Sequence, residues 1–284
     1  VLLSTRGNGF ATKIFPVISE FNYLIVQVTI DKKTYLLDAT DDYLSFGEIP
    51  FRCLNQYGRL IDFKKGSEWI DIEPSKKSST FYNVELNIDA NNNFTGSIKT
   101  KRTGYKALVA KKNYFPNPVD YVEKLENNSP YIEITNHEIS SNDKTNPDFS
   151  ESYQIEYTPG NTGDIQYLNP FFTKFFAETP FKLQERTYPI DFGYKDTYFY
   201  MFKLNFDNNF NVIEQPKDLV LTLPNDAGLI SFSTQVIGNS VNLLFKIDFK
   251  ESIYPPEFYP YLKEFMSKIV NIQTNSIIAL KKNQ

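Results

Sequence analysis

From residue 80 onward the chain alternates apolar and polar side chains, in YNVELNI (82–88), SYQIEYT (152–158), TYFYMFKLNF (197–206), DLVLTL (218–223), LISFSTQVI (229–237) and SVNLLFKIDF (240–249). Successive side chains on a strand point to opposite faces, so this pattern specifies strands with one covered side and is incompatible with a helix. Asn, Gly and Pro punctuate the segments, and beyond residue 195 the strands follow one another closely with FNVI (210–213) among them. Closely spaced strands with turn signals predict antiparallel sheets in a sandwich. The expected class is therefore mainly β, of the α+β kind.

Two segments break the pattern. PPEFYPYLKEFMSKIVNIQ (255–273) carries Phe258, Leu262, Phe265, Ile269 and Ile272 at the spacing of a buried helical stripe, which predicts a helix over 256–273. Pro260 falls in its first turn, where N–H groups have no intrahelical acceptor to lose. A second, shorter helix is expected over 118–127, with Asn117 as N-cap, Pro118 at the first helical position, and Asp120 and Lys124 on one face. Residues 166–194 are aromatic and proline-punctuated and predict an ordered crossover, whose Phe171, Phe172, Phe175 and Phe176 need a core. Three units are expected: 1–73, a β-rich middle region over 80–182, and a sandwich over 183–284, with a linker in Pro74 and the polar run that follows it.

Composition excludes several partners and cofactors. The 284 residues carry a net charge of −4, and arginine occurs only at 6, 52, 59, 102 and 186, so no basic stripe is available to neutralise phosphates and nucleic acid is not an expected partner. One cysteine and one histidine give no zinc ligand set and no internal disulfide framework. No cofactor and no metal site are expected. No apolar run reaches the ~20 residues that span a bilayer, so no transmembrane segment is expected. The chain opens VLLSTRGNG, without a methionine and already in strand-like sequence, and an upstream portion is expected.

The stretch FNYLIVQVTIDKKTYLLDATDD (21–42) is where chemistry would reside. Leu24, Val26, Val28 and Ile30 alternate on one strand face, and Asp31-Lys32 falls where a two-residue hairpin turn belongs. That register sets residue 23 opposite 40, with Tyr23, Thr40 and Asp38 on one face and the first and last of these roughly 7 Å apart as diagonal neighbours. A base on one strand oriented by a carboxylate on the next is the arrangement of a cysteine-type active site. A phenol ordinarily titrates near pH 10, so tyrosine holds its proton at neutral pH and cannot take one from a thiol. A half-buried strand aromatic and a hairpin-end carboxylate account for the same two residues without chemistry.

The segment STRGNG followed by FNYLIVQVTIDKKTYLLDATDDYLSFGEIPFRCLNQYGRLI resembles the C-terminal half of the papain-like core in bacterial transglutaminase-like proteins. In that superfamily the nucleophilic cysteine opens a helix upstream, a histidine begins the strand corresponding to 22–30, and an aspartate ends the one corresponding to 35–38. The resemblance implies that Asp38 matches the family's aspartate and that Tyr23 stands in the histidine's place. ERTYPIDFGY, EQPKDLVLTLPNDAG and SIYPPEFYPYLKEFMSKIVNIQTNSIIALKK resemble the β-sandwich domain of unknown function that follows this core in multidomain members. Together these imply a half-core with an appended sandwich, a degenerate active site with no intact catalytic set, and a periplasmic, cell-envelope or secreted location.

Other chemistry-bearing residues have plainer readings. Cys53, in PFRCLNQ, has no histidine nearby and is expected as a small core hydrophobe. His137 alternates with Ile134 and Ile139 and is expected as a satisfied or solvated strand histidine. Asp89, Asn91 and Asn93 imitate the start of a calcium loop, but Phe94 and Thr100 stand where glycine and glutamate are needed, so a turn is expected. Asp38, Asp41 and Asp42 are expected as solvated hairpin-end carboxylates. Three functions fit: a non-catalytic binding or scaffolding module with a protein or glycan partner, the C-terminal half of a cysteine-type transglutaminase-like or peptidase-like enzyme whose nucleophile lies upstream of Val1, or a carbohydrate-binding sandwich.

Overall fold

The computed structural model of the chain describes residues 1–74, 76–129, 131–159 and 163–283. In the amino-terminal part, β1 (Leu2–Leu3), β2 (Tyr23–Leu24), β3 (Val26–Ile30), β4 (Lys33–Leu37), β5 (Gln56–Asp62) and β6 (Gly66–Ile72) form a four-stranded sheet in the order β2-β1-β5-β6 and a separate β3-β4 hairpin. The middle contributes β7 (Ser78–Ile88), β8 (Phe94–Thr103), α1 (Gly104–Tyr114), α2 (Pro118–Asn127), β9 (Ile132–Ile139) and β10 (Asp148–Tyr157). The remainder holds β11 (Ile165–Leu168), β12 (Ile190–Asp191), β13 (Asp196–Asn205), β14 (Phe210–Glu214) and β15 (Leu219–Thr222). It continues with β16 (Gly228–Ile237), β17 (Ser240–Phe249), β18 (Ile253–Tyr254), α3 (Tyr259–Asn275) and β19 (Ile278–Lys282). The class is mainly β and of the α+β kind, with largely antiparallel sheets and a carboxy-terminal helix.

The centre is an eight-stranded sheet in the order β15-β16-β17-β13-β7-β8-β10-β9. It is antiparallel except where β13 runs parallel to β7 in unbroken register, Ser78 beside Asp196 through Asn87 beside Asn205. The alternation works here as the sequence dictates. On β7, Tyr82, Val84, Leu86 and Ile88 are buried while Phe81, Glu85 and Asn87 are exposed. The buried face is covered by the small sheet β11-β19-β14, by α3 and by the aromatic crossover, whose Phe171 is buried against Tyr200 and Phe245. Phe172, Phe175 and Phe176 pack on the same core. The division expected at 182/183 runs through this sheet and this core, because β13 hydrogen-bonds along its whole length to β7. The expected linker is also shorter than read: Ser78 and Ser79 already belong to β7, and Ser75 lies outside the described residues.

Both expected helices form. Asn117 caps α2 by accepting the Asp120 N–H at 3.2 Å, and Lys124 bonds Asp120 at 2.6 Å. Leu262, Phe265, Met266 and Ile269 of α3 are buried against the sheet. Helix α1 was not foreseen. It joins the two halves of the molecule, since Tyr105 and Leu108 enter the amino-terminal core with Cys53 and Leu54 while Ala107 and Ala110 pack on Phe149.

One face turned out opposite to what its composition suggests. Leu24, Val26 and Ile30 are 67%, 59% and 45% exposed, whereas Ile25 of the intervening position is buried. Alternation identifies two faces but does not say which one the chain covers. Phe10, Ile14, Phe15 and Ile18 are exposed in the same amino-terminal part, leaving a concentration of uncovered apolar side chains there.

Candidate functional site

The β3-β4 hairpin sets the geometry. Asp31 and Lys32 take positive φ of 48° and 65°, the values of a type I′ turn, without the usual glycine, and Ile30 pairs with Lys33. The ladder ends at Val26 beside Leu37, but its continuation brings the Tyr23 side chain over the residues that follow β4.

There the Tyr23 hydroxyl lies 2.8 Å from Asp38 Oδ2 and 2.7 Å from Thr40 Oγ1, and Arg52 Nη2 lies 2.6 Å from the same phenol oxygen. Thr40 gives Asp38 Oδ1 both its N–H, at 2.7 Å, and its hydroxyl, at 2.6 Å. Arg52 also reaches Thr40 Oγ1 at 3.1 Å and stacks over the Tyr23 ring at 4.8 Å. The proton count follows. An ionised carboxylate only accepts and a guanidinium only donates, so the phenol donates to Asp38 and accepts from Arg52. Burial pushes the Asp38 carboxyl up, but the two Thr40 bonds, the Tyr23 hydroxyl and the Arg52 charge together hold it below its ordinary range.

A general base needs a free lone pair facing its proton donor. The Tyr23 oxygen offers its lone pair to Arg52 instead. What remains is a clasp: one hydroxyl ties β2 to the end of β4 and to the short 3-10 turn Phe51–Cys53. The Arg52 contribution had no signal in the sequence, because Arg52 reaches the hairpin from a turn twelve positions beyond Thr40.

Cys53 is fully buried beside Arg52. Burial pushes its thiol up to about 12, against the opposing pull of the guanidinium, so it is a packing residue. Asp41 corrects the expectation of solvated carboxylates: it is ion-paired with Lys112 of α1, and its side chain is 7% exposed. No group of three or more metal-ligating side chains occurs among the described residues. Asp89 accepts the N–H groups of Asn91 and Asn93 at 2.8 and 2.9 Å, which is turn chemistry.

His137 takes part in a buried network. Its Nε2 lies 2.9 Å from Glu151 Oε2, and the other oxygen of Glu151 accepts from Arg102 at 2.6 Å, Tyr121 at 2.9 Å and Thr100 at 3.1 Å. Tyr82 and Tyr153 share a hydrogen bond alongside. A carboxylate bonded in this way requires the histidine proton on Nε2. Burial raises Glu151, but the His137 bond and the Arg102 charge and bond overcome it and bring the group to about 2. A sequence signal for this cluster exists: Glu151 interrupts the inward-facing series Phe149, Tyr153, Ile155.

The aromatic side chains that would form a sugar-binding platform are largely committed to the core, as in the stack of Tyr82 on Tyr200 and the tilted contact of Phe171 with Tyr200. No helix of the described residues is long and apolar enough to cross a membrane.

Comparison with known proteins adds one match. No curated protein and no solved structure matches the chain. Residues 164–279 match the model of a family described as a domain of unknown function with solved-structure structure, DUF3858, which takes in β11 to β18 and α3 and the start of β19.

Proposed function

We propose that the chain is the non-catalytic, carboxy-terminal portion of a transglutaminase-like protein of the cell envelope, serving as a binding or scaffolding module. The observation that carries this reading is the Tyr23 hydroxyl held between Asp38 at 2.8 Å and Arg52 at 2.6 Å. The carboxylate that would orient a base is there, but its partner is a phenol whose acceptor position a guanidinium occupies. The match of residues 164–279 to the domain of unknown function supports the resemblance of the carboxy-terminal part.

The test is an assay of the full-length parent protein for amine incorporation into a glutamine peptide and for peptide hydrolysis, with and without a thiol alkylator. No alkylator-sensitive turnover is expected. Turnover that disappears on alkylation would overturn the reading and assign the base role to another group.

A further inference from the structure

A cleft of about 660 Å³ opens between α1, α2 and the end of β7 and β8, on the side of the large sheet that carries the core. That volume suits a small-molecule site. Its described lining presents four cations, Arg102, Lys106, Lys112 and Lys124, against the single carboxylate of Asp120. The imbalance arises because three of the anions that pair with these cations lie outside the lining: Glu151 and Asp196 behind the wall, and Asp41, which holds Lys112, in the adjoining cavity. Glu151, whose side chain is fully buried, holds Arg102 at 2.6 Å, and Asp196 holds Lys106 at 3.1 Å with its side chain 10% exposed. Asp120 itself is bound to Lys124 in an exposed pair four residues apart, which is weak and readily re-aimed.

Arg102 is the anchor. Only its Nη1 is engaged, by Glu151, and among the described residues its Nε and Nη2 carry no hydrogen-bond partner. The guanidinium is held rigidly from behind, lines the cleft, and keeps part of its fork of donors open. Such a fork matches the two oxygens of a carboxylate. Tyr121, Val109 and Tyr194 supply apolar and aromatic wall for the body of a ligand. The cleft also adjoins a second cavity of about 340 Å³, with which it shares Val109, Lys112 and Tyr194 and into which Arg52 projects.

We propose that this cleft binds a small organic acid, whose carboxylate is received by Arg102 and whose body lies along α1 toward Tyr194. The inference holds whether or not the parent protein turns over at Tyr23, and its test leaves that residue untouched.

Isothermal titration calorimetry of the 284-residue chain would use citrate, glutarate and galacturonate, with the methyl ester of galacturonate and inorganic phosphate as controls. Saturable binding of at least one acid is expected, weakened about tenfold or more in Arg102→Lys, which keeps the charge beside Glu151 but loses the fork. Arg102→Lys alone is open to a folding objection, so Val109→Trp provides the second arm. Val109 is 55% exposed and lines the cleft, so a bulky ring there should abolish binding while leaving Tm unchanged. Absence of saturable heat from every acid at millimolar concentration, undiminished binding in Val109→Trp, or equal binding of the methyl ester or of phosphate would each overturn the proposal.

Discussion

Tyr23 and Arg52 are joined by a 2.6 Å hydrogen bond and by stacking of the guanidinium over the ring at 4.8 Å, so the phenol is engaged through both its oxygen and its face. The Tyr23 hydroxyl thereby acts as a fastener between two strands and a turn. Removing the hydroxyl alone tests that role.

Tyr23→Phe keeps the ring and removes the hydroxyl. Asp38 then loses a donor and its carboxyl should titrate higher than in the wild type, because the Tyr23 bond is among the causes that hold it low. The sign of the stability effect follows. A depressed folded-state carboxyl contributes stability above its unfolded pKa, and that contribution disappears as pH falls through the folded value. The variant should therefore lose about 1 kcal/mol at neutral pH, the scale of one hydrogen bond, and converge on the wild type in acid. Carboxyl titration by NMR with denaturation at two pH values would measure both, and an unmoved Asp38 would remove the network argument.

Glu151 should dominate the acid limb of stability. Its folded value of about 2 lies below the ordinary glutamate range, so its contribution is present above the unfolded value of roughly 4.3 and is lost between there and about pH 2. Glu151→Gln keeps the shape but leaves Arg102 with no anion beneath it. Breaking one side of a buried pair costs about 3 to 5 kcal/mol. Urea midpoints across pH 2 to 7 should show the variant destabilised at neutral pH with a flattened acid dependence. Parallel curves for the two proteins would assign the acid sensitivity elsewhere.

How far these features were legible differs by the range of the interaction. Most of the strands beyond residue 80 were readable because alternation is local, and so were α2 and α3, whose cap and stripe lie within a few residues, whereas the β5-β6 hairpin, in a segment that reads as loop-rich, was not. The turn at Asp31 and Lys32 was readable despite lacking glycine. The pairing of β13 with β7 was not, since a parallel partner more than a hundred positions away leaves no local mark. At the site, Tyr23 and Asp38 were placed together by hairpin register, whereas Arg52 arrives from a turn that nothing in its own segment directs toward the hairpin. Helix α1 escaped notice because GYKALVAKKNY buries side chains on two sides, against Cys53 and against Phe149, and so lacks a single apolar stripe.

The uncovered face of the amino-terminal part makes a further prediction. Leu24 and Val26 are more than half exposed, so Leu24→Ser with Val26→Thr should leave the unfolding free energy within about 0.5 kcal/mol. Removing an exposed apolar patch should also lower self-association at high concentration. Sedimentation alongside urea denaturation reads both. A loss of more than ~1 kcal/mol would mean that these side chains pack against something in the chain itself.

In the carboxy-terminal part, α3 is tested through Leu262 and Phe265, both fully buried against the sheet. Truncating either to alanine should cost about 2 to 5 kcal/mol, the transfer loss plus the cavity left behind. The two residues are neighbours on one helical face, so the double variant should cost less than the sum of the single ones if the cavities merge and the sheet relaxes into them. Urea midpoints of the four proteins give the coupling directly. A single-variant loss below ~0.5 kcal/mol would place the helix outside the cooperative core.

The start of α1 carries the last prediction. Gly104 has a φ of +54°, a left-handed conformation that costs an ordinary residue about 1 to 2 kcal/mol. A Cβ there would also lie 2.7 Å from Ser78 Oγ. That oxygen accepts the Tyr105 N–H at 3.0 Å, so the first turn of α1 is capped by a hydroxyl from β7 and not by the preceding Thr103. Gly104→Ala should therefore destabilise through strain and through displacement of the cap. Ser78→Ala should cost about 1 kcal/mol by leaving the Tyr105 N–H unpaired in a buried position. Because the added methyl and the hydroxyl compete for the same space, Gly104→Ala should cost less in the Ser78→Ala background than in the wild type. A thermal-denaturation cycle on the four proteins measures that coupling, and strictly additive losses would mean that the alanine is opposed by backbone conformation alone.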